Sequence, residues 1–250
     1  MTDEEKLLLA RTEDLFTLCD KYCCPRFSPF LDEAQQQLVM EKMGNRSGYT
    51  TGFFGGYAGA RRKVFGVFPE WLPYSEDDFL IKVLKFTKSY GEPLTHRDYL
   101  GTILSLGIDR SKTGDILVDG DTAYAFAAED IAEFIRDQIT KVANRGVRIE
   151  IVGRGQVQVP EQKYEEISTV AASLRLDAVT AAMLHISRNL AVKLVEGGRV
   201  SVNHKIAADP AKQLARDDVL SVKGYGRFIL AQVGGKTRSE RLHVVIKKYI

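Results

Sequence analysis

The sequence predicts an α+β protein built in three parts, over residues 1–75, 76–160 and 170–250. Three observations carry that reading. Apolar residues recur at the helical period in some segments and at period two in others. Pro69, Pro73 and Ser75 form a connection that breaks the pattern near residue 75. Charge also changes sign along the chain. Ile167–Ile250 holds 14 Lys and Arg against 6 Asp and Glu, net +8, whereas residues 1–166 hold 21 against 27, net −6. A basic last third on an acidic body suggests one surface aimed at a polyanion.

Residues 4–22 predict a helix whose apolar side includes Leu7, Leu8, Leu15, Phe16 and Leu18, until Pro25 and Pro29 break it. Leu31 to Met43 predicts a second helix, with Asp32 near its start and Gly44 after its end. Thr50 to Phe54 and Lys63 to Phe68 then predict the two strands of a hairpin. Cys19, Cys23 and Cys24 are an odd number in a chain of cytosolic character, which argues against a disulfide framework. A metal site needs a fourth ligand and better spacing, so they are expected as thiols at a helix end.

In the middle part, Phe79 to Phe86 alternates as a strand and Thr95 to Leu106 forms a helix with Thr95 as N-cap. Asp115 to Val118 and Thr122 to Phe126 are strands around the turn Asp119-Gly120-Asp121. Glu129 to Val142 is a helix and Val147 to Val152 a strand. The order β-α-β-β-α-β is that of a ferredoxin-like domain, as in RNA-recognition domains. Metal chaperones and regulatory domains share it, so the topology does not choose a function. Phe79, Phe86, Tyr124 and Phe126 are either base-stacking aromatics of an open sheet or core; alternation alone does not decide.

Residues 155–173 join the last part, with Val157, Val159 and Tyr164 to Val170 adding strand. Leu176, Val179, Met183 and Leu184 form one helical stripe, and Ser187 caps a second helix bearing Leu190, Leu194 and Val195. Gly197-Gly198 ends that helix, because glycine takes the left-handed conformation found there. Val200 and Val202 then alternate as a half-buried strand. Arg175, Arg188, Lys193, Arg199, Asn203 and Lys205 are left at element ends, and Arg227 edges the same surface beside Tyr225 and Phe228. These are phosphate-binding and base-edge groups rather than an enzyme's acids and bases. Asn203 alternatively closes the strand-end turn. Lys247-Lys248 either closes a small sheet or forms a basic tail.

Two further motifs are basic. Gly55 to Lys63 combines glycines and aromatics with Arg61 and Arg62; it suits either a phosphate or a tight turn. His96 and Arg97 open the helix at Thr95, where they reach RNA or cap the turn. His96-Arg97-Asp98 echoes a kinase triplet, but the other kinase parts are missing. Gly224-Tyr225-Gly226 lacks the third glycine and following helix of a dinucleotide site. No nucleophile is paired with a base at an interpretable spacing, so no catalytic residue, metal or cofactor is assigned. The acidic N-terminus and the lack of a ~20-residue apolar run predict a cytoplasmic protein that does not enter a membrane.

Leu174-Arg175-Leu176-Asp177, Ser187-Arg188, Gly198 to Asn203 and Asp217 to Val222 together resemble the alpha-L RNA-binding module. That is the module of ribosomal protein S-four, many pseudouridine synthases and bacterial tyrosyl-tRNA synthetases. His204 stands where the module usually has glycine, and Val192 where it often has a basic residue. Over nearly its whole length the chain is similar to the YlmH family of bacterial RNA-binding proteins. The residues that carry this are Gly55 to Lys63, Leu94 to Gly101 and Leu106 to Ile116. The resemblance implies a helical N-terminal region, a ferredoxin-like middle domain and a C-terminal alpha-L module. It also implies a ribosome-associated factor of the large subunit, acting on stalled complexes that carry peptidyl-tRNA; with no catalytic constellation in the sequence, that factor is expected to be non-catalytic. The expected partners are ribosomal RNA and tRNA, bound by a monomer. The alternative is an RNA-modifying enzyme resembling a pseudouridine synthase. The catalytic aspartate of those enzymes lies in a β-rich domain after the module, where little chain remains here.

Overall fold

Helix α1 (Asp3–Tyr22) starts at a capping box in which Thr2 and Glu5 exchange side-chain-to-amide bonds. It ends at Cys23 with φ 50°; Cys19 is buried, and Cys23 and Cys24 lie nearer the surface. β1 (Arg26–Leu31), α2 (Glu33–Met43), β2 (Tyr49–Phe54) and β3 (Lys63–Pro69) follow, with β3 between β1 and β2. Sequence reasoning missed β1, because Pro25 and Pro29 look like breakers. Pro29 is tolerated because β1 is an edge strand whose register slips between Phe27 and Phe30. The computed structural model describes residues 1–44, 46–89, 91–237 and 240–250.

The middle sheet contains β4 (Ile81–Lys88), β5 (Thr113–Asp119), β6 (Thr122–Ala128), β7 (Lys141–Val142) and β8 (Arg145–Val152). Helix α3 (His96–Leu104) lies between β4 and β5, and α4 (Glu129–Gln138) between β6 and β7. Strand order is β5-β6-β4-β8-β7, antiparallel throughout. Apart from the small β7 edge, this is two interleaved β-α-β units. The helix expected to reach Val142 stops at Gln138. Ile139 turns extended, and Lys141 and Val142 pair with Gly146 and Arg145. Ile139 and Val142 still enter the core, Ile139 from the extended end of α4 and Val142 from the β7–β8 hairpin.

Both faces of the middle sheet are covered. Leu84, Phe86, Ala123 and Ala125 face α3 and α4, packing with Tyr99, Ile103 and Ile135. Val83, Tyr124 and Phe126 face the N-terminal sheet, packing with Phe30, Val64 and Phe68. The other face of β3, Phe65 and Val67, packs on Phe16 and Val39 of α1 and α2. β3 is therefore apolar in both registers, as a strand buried on two faces must be. Phe79, Phe86, Tyr124 and Phe126 are at most 4% exposed. Of the two readings of these aromatics, core is the one the fold shows: Phe86 packs on α3, and the face holding Tyr124 and Phe126, which RNA-recognition domains leave open, is occupied here by a second sheet. Contact is close enough that a Cβ at Gly56 (φ +98°) would lie 2.3 Å from the Phe126 ring.

The chain divides into two compact units, residues 1–160 and 161–250. The second unit contains β9 (Tyr164–Ala171), α5 (Leu176–Leu184), α6 (Arg188–Glu196), β10 (Val200–Val202) and β11 (Lys205–Ile206). β12 (Val219–Val222), β13 (Gly226–Lys236) and β14 (Leu242–Tyr249) complete it, in the order β11-β10-β12-β13-β14-β9. Leu176, Val179, Met183, Leu194 and Val195 of the two helices pack on Leu220, Phe228, Leu230 and Ile246 of the sheet. The expected start at residue 170 thus falls inside β9, which pairs with β14. Residues 157–163 carry no regular structure, so Val157 and Val159 add no strand. Lys247 and Lys248 lie within β14, an interior strand between β13 and β9, and not in a basic tail. Among the described residues, no helix is long and apolar enough to cross a membrane.

Candidate nucleic-acid interface

Asp177 organises the helix side of the second unit. Its carboxylate is 3% exposed and accepts from Arg175 Nε and Nη2, both at 3.1 Å. It also accepts from Arg188 Nε at 3.0 Å and from the Ala178 amide at 2.8 Å. Burial pushes the carboxyl up, but the bonds from Arg175 and Arg188 outweigh it and leave it below its ordinary value. The same bond raises the Arg175 guanidinium. Arg175 and Arg188 are 37% and 53% exposed, so each shows part of its fork to solvent while Asp177 fixes the rest. They were expected as simple exposed phosphate ligands; they are also the two sides of a clamp across the start of α5 and α6. Asp177 belongs to the Arg-Leu-Asp motif, but nothing in the sequence signals that it bridges two arginines.

Lys193 stands exposed on α6. Arg199, exposed beyond the glycine stop, donates to the Lys223 carbonyl at 3.1 Å, which fixes its position without neutralising it. Ser187 caps α6 by accepting from the Leu190 amide, and Gly198 supplies the left-handed φ of 65°. Asn203 has φ 49°, donates to Asp218 at 2.8 Å and accepts from the Val219 amide at 2.9 Å. It closes the turn into β12, the alternative reading of this residue. Lys205 is exposed on β11. Arg227 lies in β13, with Nη2 3.4–3.5 Å from both ring nitrogens of His204 and its guanidinium 5.3 Å from the Tyr249 ring.

In the first unit the fold itself engages one of the expected basic side chains, that of Arg62. Asp115 accepts from the Arg61 and Arg62 amides at 2.6 and 3.1 Å and from the Tyr57 hydroxyl at 2.9 Å. This ties the Gly55–Lys63 connection to the middle sheet. Tyr57 stacks on Phe126 at 4.9 Å, and burial, then Asp115, raises its hydroxyl. The Arg62 guanidinium donates to the Thr113, Phe30 and Arg110 carbonyls, and burial lowers it. Arg62 therefore spends its fork on backbone. Arg110, which the sequence did not single out, does the same through Thr113 and Gly114. Burial and then Arg62 push it down to about 10. Arg61, His96 and Arg97 present exposed side chains. Loss of hydration and then Arg110 hold the His96 imidazole below its ordinary value. Thr95 and Asp98 make the capping box that opens α3.

The family model for the RNA-binding domain in YlmH matches residues 74–156, and the S4 domain model matches residues 174–220. Over 226 residues the chain is 31% identical to the ribosome-associated protein quality control protein P2 of Bacillus subtilis (strain 168). That alignment covers 89% of this chain and 87% of the relative. The chain belongs to the YlmH family. A solved structure, the cell division protein ylmH from Streptococcus pneumoniae, matches with a TM-score of 0.56 at 19% identity. It covers 64% of this chain and 97% of its own, and supports the fold. The C-terminal S4 domain expected from the Arg-Leu-Asp and Asn203 motifs is present, and the α+β class holds. This YlmH protein keeps its RNA-binding domain and S4 domain in different compact units.

Proposed function

We propose that this YlmH protein is a non-catalytic RNA-binding factor that associates with the ribosome in the cytoplasm. Its second unit grips ribosomal RNA through Arg175, Arg188, Lys193, Arg199 and Lys205. Ribosomal RNA of the large subunit and tRNA are the intended RNAs, and the working context is quality control of stalled complexes, with the protein acting as a monomer. One observation carries the reading: a buried Asp177 presets two arginines in a unit with a strong excess of positive charge, which also exposes Lys193 and Arg199. The relative named for ribosome-associated quality control supports the setting. Asp177 itself is shifted downward and held by guanidinium donors, so it braces cations rather than acting as a poised general base.

The test is a salt titration of RNA binding by the full chain. Lys193→Ala with Arg199→Ala removes two cations that brace no buried acid. It should weaken binding and lower the slope of log K against log salt by about 1–2. An unchanged slope would overturn the assignment. In cells, crosslinking followed by sequencing should recover large-subunit ribosomal RNA together with tRNA. Messenger or small regulatory RNAs without ribosomal enrichment would contradict the ribosomal setting.

A further inference from the structure

The sheet of the second unit has a face turned away from α5 and α6, and its side chains form a row that the helix side does not use. Strand register sets Ser201 opposite both Ile206 and Ser221, Ser221 opposite Arg227, and Tyr249 opposite Tyr164. The neighbours Val200, Val202, Leu220, Phe228 and Ile246 point into the core. Period-two alternation therefore places the row on the opposite face.

Where the row crosses β13, β14 and β9 it is aromatic and cationic. The Arg227 guanidinium lies 5.3 Å from the Tyr249 ring centre, and Tyr249 meets Tyr164 edge to face at 5.1 Å. Lys247 Nζ is 5.8 Å from the Tyr164 ring. Tyr164 is 40% exposed on an edge strand. At the far end Ser201, Ser221 and Ile206, with Arg199 and Lys223, line an open cavity of about 260 Å³. That is smaller than the roughly 300–1,000 Å³ of sites for drug-sized ligands. Glu166 is an acidic residue on this face, and its register partner is Lys247.

Surface rings set among cations match both parts of a nucleotide: a flat face for the base and positive charge for the phosphate. A duplex hides its base faces inside its own stack, so it cannot use the rings. Six strands at about 4.8 Å spacing span roughly 24 Å, room for several nucleotides. We propose that this sheet face binds unpaired RNA, with bases stacked on Tyr164 and Tyr249 and phosphates beside Arg227 and Lys247. It is a second RNA surface of the unit, apart from the Asp177 clamp. The proposal rests on the reading that the chain binds RNA and adds the class of RNA: single-stranded.

The full chain is titrated with an oligoadenylate of about 12 nucleotides carrying one 2-aminopurine, and separately with an RNA duplex of similar length. The strand should bind and its 2-aminopurine emission should be quenched by stacking. Tyr164→Ala with Tyr249→Ala should weaken strand binding at least about 10-fold and remove the quench. Tyr164→Phe with Tyr249→Phe should keep both, and duplex affinity should stay within about twofold in each variant. If the alanine pair does not fold, Lys247→Gln carries the test, and must lower the salt slope for the strand and not for the duplex. Duplex binding without strand binding by the unaltered protein overturns this inference alone. Failure to bind either RNA overturns the proposed function. Strand affinity and quench that survive the alanine pair also overturn the inference, as does a Tyr-dependent change in oligomeric state without strand binding, which would assign the face to a second protein copy.

Discussion

Replacing Asp177 with asparagine keeps its shape and removes its charge. The carboxylate now takes three N–H bonds from Arg175 and Arg188 and one from the Ala178 amide. An asparagine offers one oxygen, and its NH2 group would confront guanidinium donors. Removing one partner of a buried pair costs about 3–5 kcal/mol when the remaining charge is stranded. Here the arginines are 37% and 53% exposed and can be rehydrated, so the expected loss is about 2–3 kcal/mol. In a unit spanning residues 161–250, that lowers the melting transition by roughly 10–20 °C. The pH dependence follows from the downward shift of Asp177. The unfolded chain takes up this proton at a higher pH than the folded one, so stability from the clamp is complete above the ordinary carboxylate range. It is lost as pH falls through that range to the lower folded value. Circular dichroism melts and urea midpoints of the full chain should therefore show the largest gap between wild type and Asp177→Asn at neutral pH, closing on acidification. A gap below about 0.5 kcal/mol at pH 7, or one that widens in acid, would refute the clamp.

Three other perturbations follow from the fold. Asp115→Ala strips the acceptor from two backbone amides and the Tyr57 hydroxyl, and should cost the first unit about 2–4 kcal/mol by urea unfolding. A loss below about 1 kcal/mol would mean the Gly55–Lys63 connection is held by other contacts. Gly56→Ala combines a φ of +98° with a Cβ 2.3 Å from Phe126 and should destabilise the same unit by more than about 1 kcal/mol, whereas Gly153→Ala, with open space, should not. Limited proteolysis should first cut within residues 157–163 and spare Tyr164–Ala171, which is paired with β14. Early cuts inside β9 would show that it does not belong to the second unit.

Local chemistry was legible in the sequence wherever one residue decides a local geometry. Thr95 and Ser187 cap the helices they were expected to cap, and Gly198 takes the left-handed turn. The S4 pattern placed α5, α6 and β10 within a residue or two. What failed depended on distant partners. Pro29 looks like a breaker until an edge strand and a bulge make room for it. Ile135, Ile139 and Val142 fit a helix, yet the helix ends before Ile139 and a hairpin delivers Val142 to the same core. The strand aromatics could not be assigned to a face, because nothing local to Phe126 says that Phe30 and Gly56 will lie over it. In the second unit, β13 hid behind the Gly224-Tyr225-Gly226 turn, and with it the register that brings Arg227 to Tyr249.

Those same distant partners change what the charge count means. Composition treats every arginine as an available cation. The fold divides them by what else they hold. Arg62 and Arg110 are spent on backbone carbonyls, and burial pulls both below their ordinary values. Arg175 and Arg188 brace one carboxylate and show the remainder of their forks to solvent. A fixed guanidinium loses less freedom on meeting a phosphate than a mobile one, so the bond to Asp177 raises precision while it lowers net charge. Lys193 and Arg199 carry charge that no buried acid offsets. The two kinds of cation should therefore fail differently. Loss of Lys193 or Arg199 acts mainly through salt-dependent attraction, whereas loss of Arg188 also releases Asp177 and acts through the stability of the unit as well.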